Sequence, residues 1–280
     1  MSSATGSLTR PPREVAQLRL RGARGGIIPK HRSMIRLRWT PGRATRAALL
    51  ALTGFAGVMA ALPAVGRLWG GLFQVALPAL GLGDQVGWHR IDVGSLFSIA
   101  IPHPVVAGPW PGTGHFIGVG GFAALLVVLS LLLPGRFLPM RYFLRFLAAI
   151  QTVSIGYFAF ATPPFPYPLP GYMGGLLAAG MAVLALVPIA LGLGFYIFDH
   201  TLWRQLLLTV LVLGHLVVLL PLQALSHTWL IHHASLLVQP PLFFVFGLLV
   251  EILVIVGFYG WAMSWEGTEI PRTQTLGAAR

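Results

Sequence analysis

Six apolar runs, each close to 20 residues or longer, alternate along the chain with short stretches that are polar or rich in proline and glycine. They cover residues 46–65, 116–134, 143–162, 172–197, 204–224 and 241–264. A run of about 20 apolar residues in helical conformation spans the hydrocarbon core of a bilayer. The pattern therefore predicts an all-α fold, a polytopic membrane bundle of about six transmembrane helices spanning 46–264. A basic tail (1–45) precedes it and a short tail (265–280) follows it.

The stretches between the runs have their own character. The longest, 66–115, contains "LWGGLFQVALPALGL" (Leu68–Leu82), which is apolar but too short to span at 1.5 Å per residue. It is expected to lie in the interface or to pack back on the bundle. "IPHPVVAGPWPGTGH" (Ile101–His115) reads as a fixed, non-helical cap, and "TPPFPYPLPGYM" (Thr162–Met173) suits the membrane interface. Gly114 and Gly118, and likewise Gly175 and Ala179, stand four apart. Small residues at that spacing let helices approach closely, and packing is the role expected of them.

Charge orients the threading. Of 19 Lys and Arg residues, eleven precede residue 47, and Arg136, Arg141, Arg145 and Arg204 fall in connections on the same side. The opposite connections (66–115, 163–171, 225–240) hold only Arg67 and Arg90, offset by Asp84 and Asp92. Positive residues stay in the cytoplasm. Both termini are therefore expected to be cytoplasmic, with the 66–115 loop facing outward, in the inner (plasma) membrane of a bacterium. The same distribution explains the net charge of +12 without nucleic acid as a partner. The basic stretch beginning at Met34 reads equally well as the true start of translation. With the small residues around Ala60–Ala64 it also resembles a signal peptide, although no clean A-x-A site follows.

Composition narrows the chemistry. The chain is 56% hydrophobic and 9% charged, and it has no cysteine. Disulfides, thiolate metal sites and cysteine nucleophiles are excluded. What remains lies in a few polar residues. Glu251 sits inside the sixth run and His215 inside the fifth, each about 15 Å from the outer surface by residue count. An intramembrane carboxylate is costly and needs a partner, water or a proton. Gln151 on the third run lies at similar depth, so the three are expected to form one polar layer. That layer serves either as interhelical glue or as a proton relay, with Glu251 as carrier and His215 as partner.

Six of nine histidines map to the outer side: His89, His103, His115, His227, His232 and His233. Ligands sharing one helix want spacings of three or four. His227 and His232 are five apart, so a copper, zinc or haem site would need His115 from across the bundle. The bland alternative for these rings is interfacial placement and helix capping. On the inner side, Asp199 and Arg204 are expected to anchor and cap the start of the fifth span. "WPGTGHFIGVGG" (Trp110–Gly121) resembles one element of the type-2 phosphatidic acid phosphatase family of membrane enzymes, a Pro-Ser-Gly-His at the start of a span. Here the element is one residue longer, Pro111-Gly-Thr-Gly-His115. Lys30 is the only lysine and no Ser-Arg pair exists, so the family's other motifs are missing and membership is not assigned.

Three readings follow, in order of expectation. The first is a non-catalytic subunit or assembly factor of a cell-envelope membrane complex, with the bilayer and other membrane subunits as partners. The second is a membrane enzyme with an outer-face histidine metal or haem site. The third is a proton- or ion-coupled transporter using Glu251.

Overall fold

The computed structural model describes residues 41–93, 97–197 and 202–263. Residues 1–40 of the predicted basic tail, the predicted tail 265–280, and Asp199 with its neighbours lie outside the described residues. Of the described residues 80% are helical, and among them are six helical segments long and apolar enough to cross a membrane. It is an integral membrane helix bundle.

The first helix is longer than its apolar run. α1 extends over Pro41–Ala79, 39 residues, about 57 Å at 1.5 Å per residue. The Leu68–Leu82 stretch is thus mainly the continuation of a span, not a separate interfacial segment. Its inward face (Trp69, Phe73 and Leu77) is fully buried. What covers it is an element the hydropathy pattern did not announce. β1 (Val86–Val93) and β2 (Phe97–Pro104) form an antiparallel hairpin in the register Val86↔Pro104 to Val93↔Phe97. Gly66 and Gly70 of α1 make room for it. A Cβ on Gly66 would stand 2.7 Å from the Ala100 carbonyl, and one on Gly70 2.7 Å from the Trp88 ring. Backbone polar groups of the hairpin pair with each other, while Ile99 and Ile101 face the core.

The remaining helices are α2 (Thr113–Leu132), α3 (Leu138–Phe160), α4 (Leu169–Ile197) and α5 (Leu202–Ala234). The sixth span is discontinuous. A 3-10 turn (Leu236–Val238) leads into α6 (Gln239–Phe244), the backbone leaves the helix at 245–247, and α7 (Leu248–Met263) completes the crossing. All elements meet at two ends. One carries the hairpin and the turns after α3 and α5, and is called the hairpin end. The other carries the start of α1 and the end of α7.

α1, α4 and α5 form the main core. α2 and α3 pack mainly on each other. A second, smaller cluster (Leu126, Leu147, Ala148, Val245) joins that pair to the broken span. Close approach of the core helices uses small residues other than those expected. Gly54 sits against Pro188, Gly192 against Ala51, and Gly180 against Leu220. At Gly114, Gly118 and Gly175, by contrast, an added Cβ would meet nothing within 4 Å. The packing role expected of those glycines is corrected: they face open space.

Proline also shapes the core. Pro221 in α5 has no N–H to offer the carbonyl of Val217, four residues earlier. The indole Nε1–H of Trp69 donates to that carbonyl at 2.8 Å. An unpaired buried acceptor is thereby satisfied by a different helix.

Candidate functional site

The site is built where α5 runs beside the broken span. Backbone at membrane depth must find its hydrogen bonds inside the protein. At the break, the amide of Gln223 on α5 donates to the carbonyls of Phe246 and Gly247. One turn further along α5, His227 is buried. Its Nδ1 and the hydroxyl of Tyr172 on α4 are hydrogen-bonded at 2.9 Å, the donor being set by the tautomer of the imidazole. Glycine is required at 247, because a Cβ there would run into the Phe243 carbonyl.

One turn past the break stands Glu251, in the first turn of α7. Its side chain is fully buried, and its Oε2 lies 3.4 Å from Nε2 of His215 on α5. His215 packs edge-on against the Phe258 ring, with ring centroids 5.6 Å apart, and its side chain keeps 20% exposure. The contact is long and poorly aligned. Neither carboxylate oxygen of Glu251, nor Nε2 of His215, has a hydrogen-bond partner. Burying such groups without partners is costly. A shared or mobile proton reduces that cost, since a protonated carboxyl or a neutral imidazole is cheaper to hold there than a lone charge.

Gln151 does not join this pair. Its Nε2 donates to the carbonyl of Leu237 at 3.0 Å, and the Ser154 hydroxyl donates to the same carbonyl at 2.7 Å. The single polar layer expected from residue counting is therefore two separate structures. One is a satisfied clamp that ties α3 to the 3-10 turn, and the other is the unsatisfied His215–Glu251 pair. The count erred because the sixth span begins earlier, is interrupted, and carries Glu251 deeper than an unbroken 241–264 helix would.

The three histidines expected to converge on a metal have different partners. Nδ1 of His115 accepts from the N–H of Gly112 and caps α2. His227 is buried, because α5 runs on to Ala234 where an outer loop was expected. His232 is half-buried, with Nδ1 3.3 Å from the Ala107 carbonyl. Among the described residues, no group of three or more His, Asp or Glu is arranged to hold a metal ion. Arg204 lies in the first turn of α5, and Asp199 is outside the described residues.

A lateral groove of about 940 Å³ opens on the other face of the broken span. Its walls are the 165–168 loop, the first turns of α4, and residues of α6 and α7. Sequence reasoning missed this groove and Gln223, Tyr172 and Gln239 around it. The one available signal was "QPPLFFVFG", where paired prolines and a glycine bracket a short apolar stretch at the start of the sixth run.

No protein-family model, curated protein sequence or solved structure matches this chain.

Proposed function

We propose that the chain is a proton-linked carrier of the membrane, with His215 and Glu251 as the groups that take up and release the proton. One observation carries this reading: a fully buried carboxylate with neither oxygen hydrogen-bonded faces a histidine nitrogen at 3.4 Å. Residues that only glue helices together look different in the same molecule. Gln151 and Ser154 both donate to a defined carbonyl. Histidine changes charge near neutral pH, and ionisable residues within spans are typical of proton relays. The adjacent break supports a carrier rather than a static relay. Broken spans in transporters place charged groups at half-helix ends and let the two halves move.

The orientation belongs to the same proposal. Arg46, Arg136, Arg141, Arg145 and Arg204 all sit toward the end opposite the hairpin. By the positive-inside rule this supports cytoplasmic termini in an inner (plasma) membrane of a bacterium, with the hairpin outside.

Proteoliposomes with an entrapped pH-sensitive dye test the reading. Under an imposed membrane potential, the wild type is expected to move protons and Glu251→Gln to move none above empty vesicles. Wild-type flux equal to that of empty vesicles overturns the proposal. If stoichiometric membrane partners also co-purify, the reading reverts to a non-catalytic subunit or assembly factor.

A further inference from the structure

The end of α2 leaves one carbonyl without its helical donor. The residue four positions after Ser130 is Pro134, which has no N–H to give the Ser130 carbonyl. Nε of Arg141, on α3, donates to that carbonyl at 3.0 Å. The Ser130 hydroxyl donates to the carbonyl of Val127 at 2.7 Å, so its oxygen is free to accept. Nε of Arg145 donates to it at 3.4 Å. Ser130 is fully buried, and it fixes two guanidinium groups at once.

These bonds use only the Nε of each arginine. Among the described residues no acceptor meets their Nη groups. Arg145 is exposed. Arg141 is half-buried, yet none of its nitrogens is both enclosed and unpartnered, so its Nη groups reach the surface. The two stand one turn apart on α3, a spacing at which like charges repel. Arg136, in the turn between α2 and α3, adds a further positive charge. The carboxylates among the described residues lie elsewhere: Asp84 and Asp92 at the hairpin end, and Glu251 beside His215. Two fixed guanidinium groups without a counter-charge suit an oxyanion, because each presents planar N–H donors that match phosphate oxygens.

The surroundings indicate what carries the anion. Leu131, Leu132, Tyr142 and Phe146, on the same turns of α2 and α3, are exposed. They belong to the membrane-spanning segments 113–132 and 135–160, so they meet lipid chains. The arginines stand where these spans end, the depth at which lipid phosphates lie. Basic pockets between spans take anionic headgroups. A zwitterionic headgroup brings its own cation, which the arginines repel. The positive-inside rule asks only for charge, and lysine would meet it. It does not ask for two guanidinium groups held on one buried serine.

We infer that the turn between α2 and α3, at the end opposite the hairpin, is a binding site for an anionic phospholipid, with its phosphate held by the Nη groups of Arg141 and Arg145 and its chains against the exposed apolar side chains of both helices. The site does not depend on proton movement by His215 and Glu251. A failure of proton flux leaves it standing.

Native mass spectrometry of the delipidated full chain in non-ionic detergent tests the site with dioleoylphosphatidylglycerol and dioleoylphosphatidylcholine, which have the same chains. The wild type is expected to hold one phosphatidylglycerol about 10-fold more tightly than phosphatidylcholine, as charge-assisted hydrogen bonds imply. Arg141→Gln/Arg145→Gln is expected to hold one phosphatidylglycerol fewer in that tight class. Arg145→Lys keeps the charge but not the planar fork, and is expected to bind about 3- to 10-fold more weakly than the wild type. Millimolar inorganic phosphate is expected to leave the lipid in place. Equal binding of the two lipids by the wild type overturns the inference, as does an unchanged count in the double variant. Wild-type binding by Arg145→Lys overturns it too, since charge alone would then suffice. Displacement by inorganic phosphate would mark a site for the free ion and also overturns it. Elution of each variant as a single monodisperse species guards against misfolding. Should the double variant fail that control, Arg145→Gln replaces it under the same criterion.

Discussion

Nε2 of His215 and Oε2 of Glu251 face each other across two antiparallel spans at 3.4 Å, one turn beyond the point where the sixth span loses its helix. The pair is buried without hydrogen-bond partners, which is costly. Removing one partner of a buried pair typically costs about 3–5 kcal/mol, whereas replacing both with apolar residues is often neutral or stabilising. His215→Leu is therefore expected to melt well below the wild type in detergent. The double variant His215→Leu/Glu251→Leu should recover most or all of the loss while remaining inactive in proton flux. A double variant less stable than His215→Leu would show that the pair is structural.

Trp69 and Pro221 form a thermodynamic unit through the Val217 carbonyl. Trp69→Phe removes the donor and leaves that carbonyl unpaired, at an expected cost of about 1–3 kcal/mol beyond the loss of ring contacts. Pro221→Ala restores an N–H to the helix. In that background Trp69→Phe should cost measurably less, and a double-mutant cycle on melting temperature reads the difference. Additive effects would mean that the indole bond contributes nothing.

Two glycines separate crowding from helix propensity. Gly247→Ala drives a methyl group into the Phe243 carbonyl and is expected to destabilise by about 1–3 kcal/mol. Gly175→Ala meets nothing and lies within a regular helix. It should stabilise by up to about 1 kcal/mol. Melting temperatures of the two variants should move in opposite directions.

His103 on β2 lies outside the spans, with its ring close to Gly87 of β1 and Gly174 of α4 and its Nδ1 buried without a partner. Burial holds its pKa below the usual 6.5, the nearby His89 adds to the depression, and a hydrogen bond with the Ile101 backbone opposes it. The unfolded chain then binds the proton more readily than the folded one. Stability is therefore full above about pH 6.5 and falls as the pH drops through that value toward the depressed folded pKa. Melting temperatures recorded from pH 8 to pH 5 should show this slope in the wild type. In His103→Gln the slope should be shallower.

What the sequence determined by itself was the set of membrane spans and the anomaly of the ionisable residues inside them. The six spans follow from hydropathy, because crossing hydrocarbon requires about 20 apolar residues and little else. That Glu251 and His215 are unusual was also legible, since a charge inside an apolar run is anomalous in any fold. The tertiary structure decided what each polar group touches. His115, His227 and His232 look alike in sequence, yet one caps α2, one lies buried against Tyr172, and one sits half-buried beside Ala107. Gln151 was matched to Glu251 by depth and instead bonds Leu237. The hairpin escaped notice because β1 and β2 are strands only by pairing with each other. The broken span escaped notice because an apolar helix and an apolar bend have the same hydropathy. Hydropathy records how much each residue costs in water. Which partner satisfies a buried polar atom depends on contacts between helices far apart in sequence, and only folding decides those.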